Sequence, residues 1–240
     1  MTTSGRANLF LGLAVVLALV FIRLGLWQVS RLQEKRAINA VAAERRGRPV
    51  VDLDDPAQAA TVAGAGIQNR RVTITGRYDA AAEVVLRGQI VQGVPGVRFV
   101  TPLRPLRGDT AILVQRGYVS SPDAQTIDPA KFVEDGVVRV AGIGLTLPDS
   151  GVLGQPMEKD GVTTWRRVDL AALRARLPYP VAGYYILQTP DSALPKLPRR
   201  DDAPAFDEGA HLSYAIQWFA FATIALVGGF LFRFRRPAER

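Results

Sequence analysis

Two long apolar runs frame the chain, and the polar–apolar pattern between them changes period. Residues 9–22 are apolar or small without interruption, and after Arg23 the run resumes through Trp27, a segment of 19 residues. At about 1.5 Å per residue, a helix of that length covers roughly 28 Å, close to the hydrocarbon thickness of a bilayer. Residues 212–232 form a second run of 21 residues without a formal charge. The spacing predicts transmembrane helices over 9–29 and 212–232. The first reads as a retained anchor, not a cleaved leader, because Trp27, Gln28, Arg31 and Lys35 carry a helical pattern onward and no small-residue cleavage site follows. That helix is expected to run to about residue 46, before Gly47 and Pro49.

Between the runs the period becomes two. Val72, Ile74 and Gly76 alternate with Thr73, Thr75 and Arg77, predicting a strand to Tyr78. Further strands are expected over 83–87, 97–103, 111–119, 137–147 and 183–189. Turns are placed at Gly93-Val94-Pro95-Gly96 and Gly108-Asp109. Asp55-Pro56 opens a short capped helix to about residue 63, and 168–177 is amphipathic until Pro178 stops it. Residues 190–207 hold four prolines and read as an extended linker. The predicted fold class is a membrane α+β protein: two transmembrane helices flank one mostly-β domain, residues 30–211. That domain is a curled antiparallel sheet or small barrel with one or two short helices. Short terminal segments, 1–8 and 233–240, complete the chain.

Charge refines this picture. The net charge is +8, but Arg6, Arg23, Arg233, Arg235, Arg236 and Arg240, less Glu239, account for +5 of it at the membrane flanks. The basicity therefore sets topology, and no nucleic-acid partner is expected. The Arg cluster after the second run places both termini in the cytoplasm and the domain outside. Arg31, Lys35 and Arg36, on the outer side of the first span, then suit lipid headgroups or an anionic ligand. Arg23 inside the first span points either to snorkelling or to a helix partner. With no cysteine and a single histidine, thiol chemistry, Ser-His-Asp catalysis and clustered metal sites are out of reach. No phosphate-binding loop or dinucleotide fingerprint appears, and no enzyme is expected.

The one histidine, His211, sits at the outer edge of the second span, with Tyr214 and Trp218 following at i+3 and i+7. Two readings stay open: an axial ligand for haem iron, with Arg31 and Lys35 near the propionates, or an ordinary aromatic belt at the interface. Gln28 and Gln217 are amides that either bridge helices or bind water, and water suits Gln28 better than Gln217. Arg116-Gly117 within a strand marks either a functional turn or a close backbone approach.

Taken in order, the motifs resemble the Surfeit locus protein 1 family of cytochrome c oxidase assembly factors. Gly25-Leu26-Trp27-Gln28 with Arg31 resembles the family's first-helix signature, and 71–76 its first strand. Pro95-Gly96, Thr101-Pro102-Leu103 and 113–119, with Arg116-Gly117-Tyr118, resemble its central block. His211-Leu212-Ser213-Tyr214-Ala215 with Gln217-Trp218 resembles the second-helix signature. The resemblance implies a non-enzymatic factor that assists delivery of haem a to oxidase subunit I, with His211 in the haem-contacting position. Other oxidase or supercomplex subunits, haem a synthase and membrane lipid are the further partners it implies. An asparagine often precedes the family's histidine, whereas this chain has Gly209-Ala210. A protein-only adaptor of the respiratory complex is the alternative, and an extracytoplasmic hydrolase using carboxylates a more distant one. Arginine far outnumbers lysine and few residues precede the first span, which favours a bacterial plasma membrane over an organelle.

The topology is open to a direct test. A reporter that is active only outside the cytoplasm, fused after Pro204, is expected to be active. Activity of a cytoplasm-only reporter at the same site would reverse the orientation.

Overall fold

The computed structural model describes residues 3–147, 156–159 and 161–234, and separates into two compact units. The first comprises Met1–Val41 and Phe206–Arg240, the second Ala42–Ala205.

The first unit is a helix pair. Helix α1 spans Thr3–Gly47 and α4 spans His211–Phe234, and both contain windows long and apolar enough to cross a membrane. In lipid, apolar side chains gain nothing by facing each other, so the pair depends on close backbone approach. Within this unit the buried positions on α1 are Ala14, Ala18, Gly25, Gln28 and Leu32, and half-buried Phe21 fills the gap so that steps of four and three alternate. On α4 the buried positions are Ala215, Ala222 and Gly229, seven residues apart. A Cβ on Gly25 would lie 2.7 Å from the Phe219 ring, and one on Gly229 2.6 Å from the Ala14 side chain. The helices therefore run antiparallel along a seam of small residues. Phe10 closes against Phe232 with ring centroids 4.6 Å apart. Of the basic tail at 233–240, Arg233 lies in the last turn of α4, and residues 235–240 lie outside the described residues. Beyond the apolar run α1 continues as a stalk. There Arg36 holds Glu208 through two bonds of 2.9 Å, and Asn39 donates to the Asp207 carbonyl.

The second unit is a β structure with nine strands among the described residues. Strands β2 (Arg70–Tyr78), β6 (Val138–Thr146), β9 (Val181–Gln188), β5 (Ala111–Ser120) and β4 (Val94–Pro105) pair in that order. A further β2–β4 pairing, Gly76 to Pro105 through Tyr78 to Leu103, closes them into a five-stranded barrel. The long β4 continues beyond the barrel into a side sheet with β3 (Val84–Val91), β8 (Val162–Trp165) and β7 (Met157–Lys159), while β1 (Val51–Asp52) adds to β2. Val72, Ile74, Leu103, Ile112, Val114, Val140 and Ile186 form one buried core. A second core, around Val84, Leu113 and Trp165, receives Leu173 from α3 (Leu170–Arg176), whose N-cap is Asp169. The short helix α2 (Pro56–Ala60) is capped by Asp55 as its sequence predicts.

Two details differ from the sequence reading. The pairs β5–β9, β1–β2 and β3–β8 are parallel, in a sheet otherwise antiparallel. The turn before β4 falls on Gln92-Gly93, both at positive φ, and Val94-Pro95-Gly96 belongs to the strand. Gly96 is glycine because a Cβ would run into the Val119 carbonyl and the Tyr118 ring, not because the chain reverses there. The proline-rich stretch turns at Asp191, where the Leu194 amide donates to the Asp191 carbonyl at 3.1 Å, and further on Arg199 exchanges two backbone bonds of 2.8 Å with Tyr118.

Gly117 fixes that junction. Its φ is +137°, and a Cβ would overlap the carbonyl of Arg199. Gly117→Val is expected to destabilise the protein by about 2 kcal/mol or more. Thermal unfolding of the full chain in detergent checks this, and an unchanged midpoint would refute it.

Candidate functional site

The imidazole of His211 lies in the helix seam. Asp207 accepts from the Gly209 amide at 2.8 Å, Gly209 turns at φ +68°, and α4 begins two residues later. This turn delivers His211 to the seam position one turn before Ala215. Its Nδ1 lies 2.9 Å from Oε1 of Gln28, itself 9% exposed. A Cβ at position 209 would lie 3.5 Å from Nε2 and Cδ2, in ordinary van der Waals contact with that edge of the ring.

Other predicted residues take up different stations. Trp218 is half-buried, stacked on Phe21 at 5.7 Å and edge-on to Phe221 at 5.9 Å. Tyr214 is 49% exposed and Trp27 47%, both on the outer surface of the pair. Gln217 and Arg23 are also exposed. The amides thus reverse the sequence expectation: Gln28 bridges the helices, while Gln217 faces outward. A seam position gives Gln28 little access to water, and hydrogen-bonding to a facing helix is its main outlet. Of the outer cations, Arg31 pairs with Glu34 at 2.7 Å and Arg36 with Glu208, whose carboxyl is held below its usual range by that bond. Lys35 is exposed, with no ion pair among the described residues.

Arg116 and Gly117 belong to the barrel, in the second unit. Arg116 is 1% exposed and bonds Glu83 at 2.6 Å, Glu134 at 2.8 Å and the Phe132 carbonyl. Arg200 joins through Glu134 and bonds Gln188 at 3.1 Å, and the Tyr78 ring lies 5.0 Å beneath the Arg116 guanidinium. Two arginines and two glutamates thus neutralise each other at a barrel wall, tying the 198–200 segment to β5. The partners Glu83, Glu134 and Arg200 were not singled out from sequence. The signal was an arginine inside the apolar run 111–119, which demands buried counter-charge without saying where it comes from.

The fold and site define a class: a β-barrel domain carried by a two-helix membrane anchor, with one imidazole at the boundary of its second span. A family model described as the SURF1 family matches residues 15–223. The chain belongs to that family. It is 27% identical over 228 residues to an uncharacterised SURF1-like protein of Mycobacterium bovis, covering 91% of this chain and 81% of the relative. A SURF1-like protein of Rickettsia felis is 26% identical over 214 residues, 87% of this chain and 89% of its own. One of Rickettsia conorii is 25% identical over 225 residues, 91% and 89%.

The ion network makes a pH-dependent prediction. Burial raises the Glu83 carboxyl above its usual range, opposed by the Thr101 hydroxyl and by Arg116. Folded Glu83 therefore holds a proton more readily than unfolded Glu83, so its contribution to stability improves as pH falls through its folded value. Arg116→Met is expected to cost about 3–5 kcal/mol near neutral pH, by leaving Glu83 buried without its cation. The deficit should shrink as pH is lowered and Glu83 takes up its proton. Melting curves of the full chain at about pH 7.5 and about pH 5 check this, and equal deficits would refute it.

Proposed function

We propose that this protein is an assembly factor for haem-copper cytochrome c oxidase that presents haem a to subunit I at the outer face of a bacterial plasma membrane. SURF1-family membership supports the oxidase role. The observation that carries the haem assignment is the state of the sole histidine. One ring nitrogen is occupied across the helix seam, and the other, Nε2, makes no hydrogen bond among the described residues. The donor set fits haem iron, which takes a neutral imidazole from a single side chain. Among the described residues no group of three or more His, Cys, Asp or Glu could hold a bare metal ion instead. His211 would hold the iron, and Lys35 is the outer cation available to a propionate, with Arg31 sharing its charge with Glu34. Tyr214 and Trp27 present ring surface at the same boundary. Haem a supplies the redox group of the oxidase, and this chain has only to bind, orient and release it. No bond is made or broken in the substrate, in keeping with a non-enzymatic factor.

Two measurements test this reading. Membranes from a deletion strain are expected to hold less haem a and less oxidase activity, without loss of every respiratory route, and wild-type values of both would remove the assembly role. Protein coexpressed with the haem a synthesis enzymes is expected to carry a Soret band that His211→Ala abolishes or shifts. Equal haem stoichiometry and identical spectra at matched expression would reduce His211 to an interfacial belt residue. Oxidase loss in the deletion strain, with no haem on the wild-type protein, would favour a protein-only adaptor.

A further inference from the structure

The geometry assigns Gln28 as the positioning residue of the imidazole: its side-chain carbonyl accepts the Nδ1 proton of His211, which fixes the tautomer and leaves the Nε2 lone pair for a metal. The assignment deepens the haem reading above and rests on it.

The argument starts from the seam. Gly25 lets α4 approach to contact with Phe219, so residues one turn further along α1 meet the first turn of α4. Gln28 occupies that level, between Gly25 and Leu32, in a stripe otherwise made of Ala, Gly and Leu. A buried amide needs partners, and the one within reach is the imidazole at 2.9 Å. Neutral imidazole has one donor and one acceptor nitrogen, so whichever nitrogen faces a carbonyl oxygen must carry the proton. With Nδ1 donating to Oε1, the lone pair lies on Nε2, the nitrogen beside Gly209. Both ring nitrogens are thereby assigned by residues outside the histidine itself. Histidines that bind metals are commonly held this way, the second nitrogen donating to an oxygen that orients the ring and raises its basicity. A glutamine does this without bringing a formal charge to the edge of the apolar slab. In this chain, where no asparagine precedes His211, the orienting amide comes from the other helix.

A structural role alone would make Gln28 a register-fixing polar residue in the seam, so the test separates the two. The full-length protein, labelled with ¹⁵N-histidine and held in lipid nanodiscs at about pH 8, has one histidine signal set, which His211→Ala confirms by its loss. Without haem, the wild type is expected to show a protonated Nδ1 and an unprotonated Nε2. Gln28→Leu should lose that fixed tautomer while keeping the helical signal, since leucine suits a seam position. Purified haem a is then titrated into each variant. Gln28→Leu is expected to bind about 10- to 100-fold more weakly than wild type. Gln28→Glu, which keeps an acceptor, should restore binding and move the haem midpoint potential to more negative values.

A wild-type imidazole protonated on Nε2 would overturn the assignment, as would haem binding by Gln28→Leu equal to wild type when His211→Ala has lost it. Haem retained by His211→Ala would instead overturn the haem reading itself. The tautomer measurement, made without haem, would still report whether Gln28 holds the ring.

Discussion

Lipid removes the usual reason for two apolar helices to pack, since a side chain is as well solvated by acyl chains as by another helix. What remains is contact between surfaces smooth enough to meet closely, and α1 and α4 meet through Ala14, Ala18 and Gly25 on one side and Ala215, Ala222 and Gly229 on the other. The glycines at both ends of this seam have no room for a Cβ. Larger residues at either position would push the helices apart, and the effect would be felt first where the contact is polar and directional. A hydrogen bond of 2.9 Å tolerates little separation. The state of His211 is therefore a consequence of small residues 4 to 18 positions along its own helix and 3 to 14 positions from Gln28 on the other.

The barrel unit solves a different problem with an opposite device. Its walls are well-packed aliphatic side chains, yet Arg116 is buried within β5 and compensated by Glu83 and Glu134. Replacing such a cluster by apolar residues is often harmless to stability, so stability alone does not account for it. Its geometry does account for one thing: Arg200, from the segment leading toward α4, reaches the same glutamate, and Gly117 opens space for the neighbouring backbone of Arg199. The charges specify where an otherwise irregular proline-rich segment docks along β5.

Much of this was legible in the sequence, for identifiable reasons. Hydropathy alone located both spans, and the alternation at Val72 and Ile74 located the strand that begins the barrel. The cap at Asp55 and the stop at Pro178 marked their helices through local chemistry. What escaped was non-local. Period two marks a strand but not its neighbour, so neither the β2–β4 closure nor the parallel pairing of β5 with β9 could be read. Gly96 was taken for a turn because a glycine required by a neighbouring backbone looks the same as one required by φ. Within an all-apolar helix every face looks alike, so the seam was invisible, and Gln28 stood out without its partner being evident.

A protein that keeps its haem surrounds it, commonly with two axial ligands and a closed apolar pocket, and gains affinity from every contact. A protein that hands haem on is under the contrary constraint, because each added contact slows release. The helix boundary here offers one imidazole, held at one nitrogen by an amide and, among the described residues, without a hydrogen bond at the other. Orientation of that kind improves the ligand without adding contacts to the haem, since the hydrogen bond is made within the protein and persists when the metal leaves. On the proposed role, affinity is thus set by the basicity of one nitrogen and not by enclosure, and exchange toward an acceptor that supplies a second ligand or a deeper pocket runs downhill. On that role, the seam that holds the two helices together in lipid would also be what orients the single ligand.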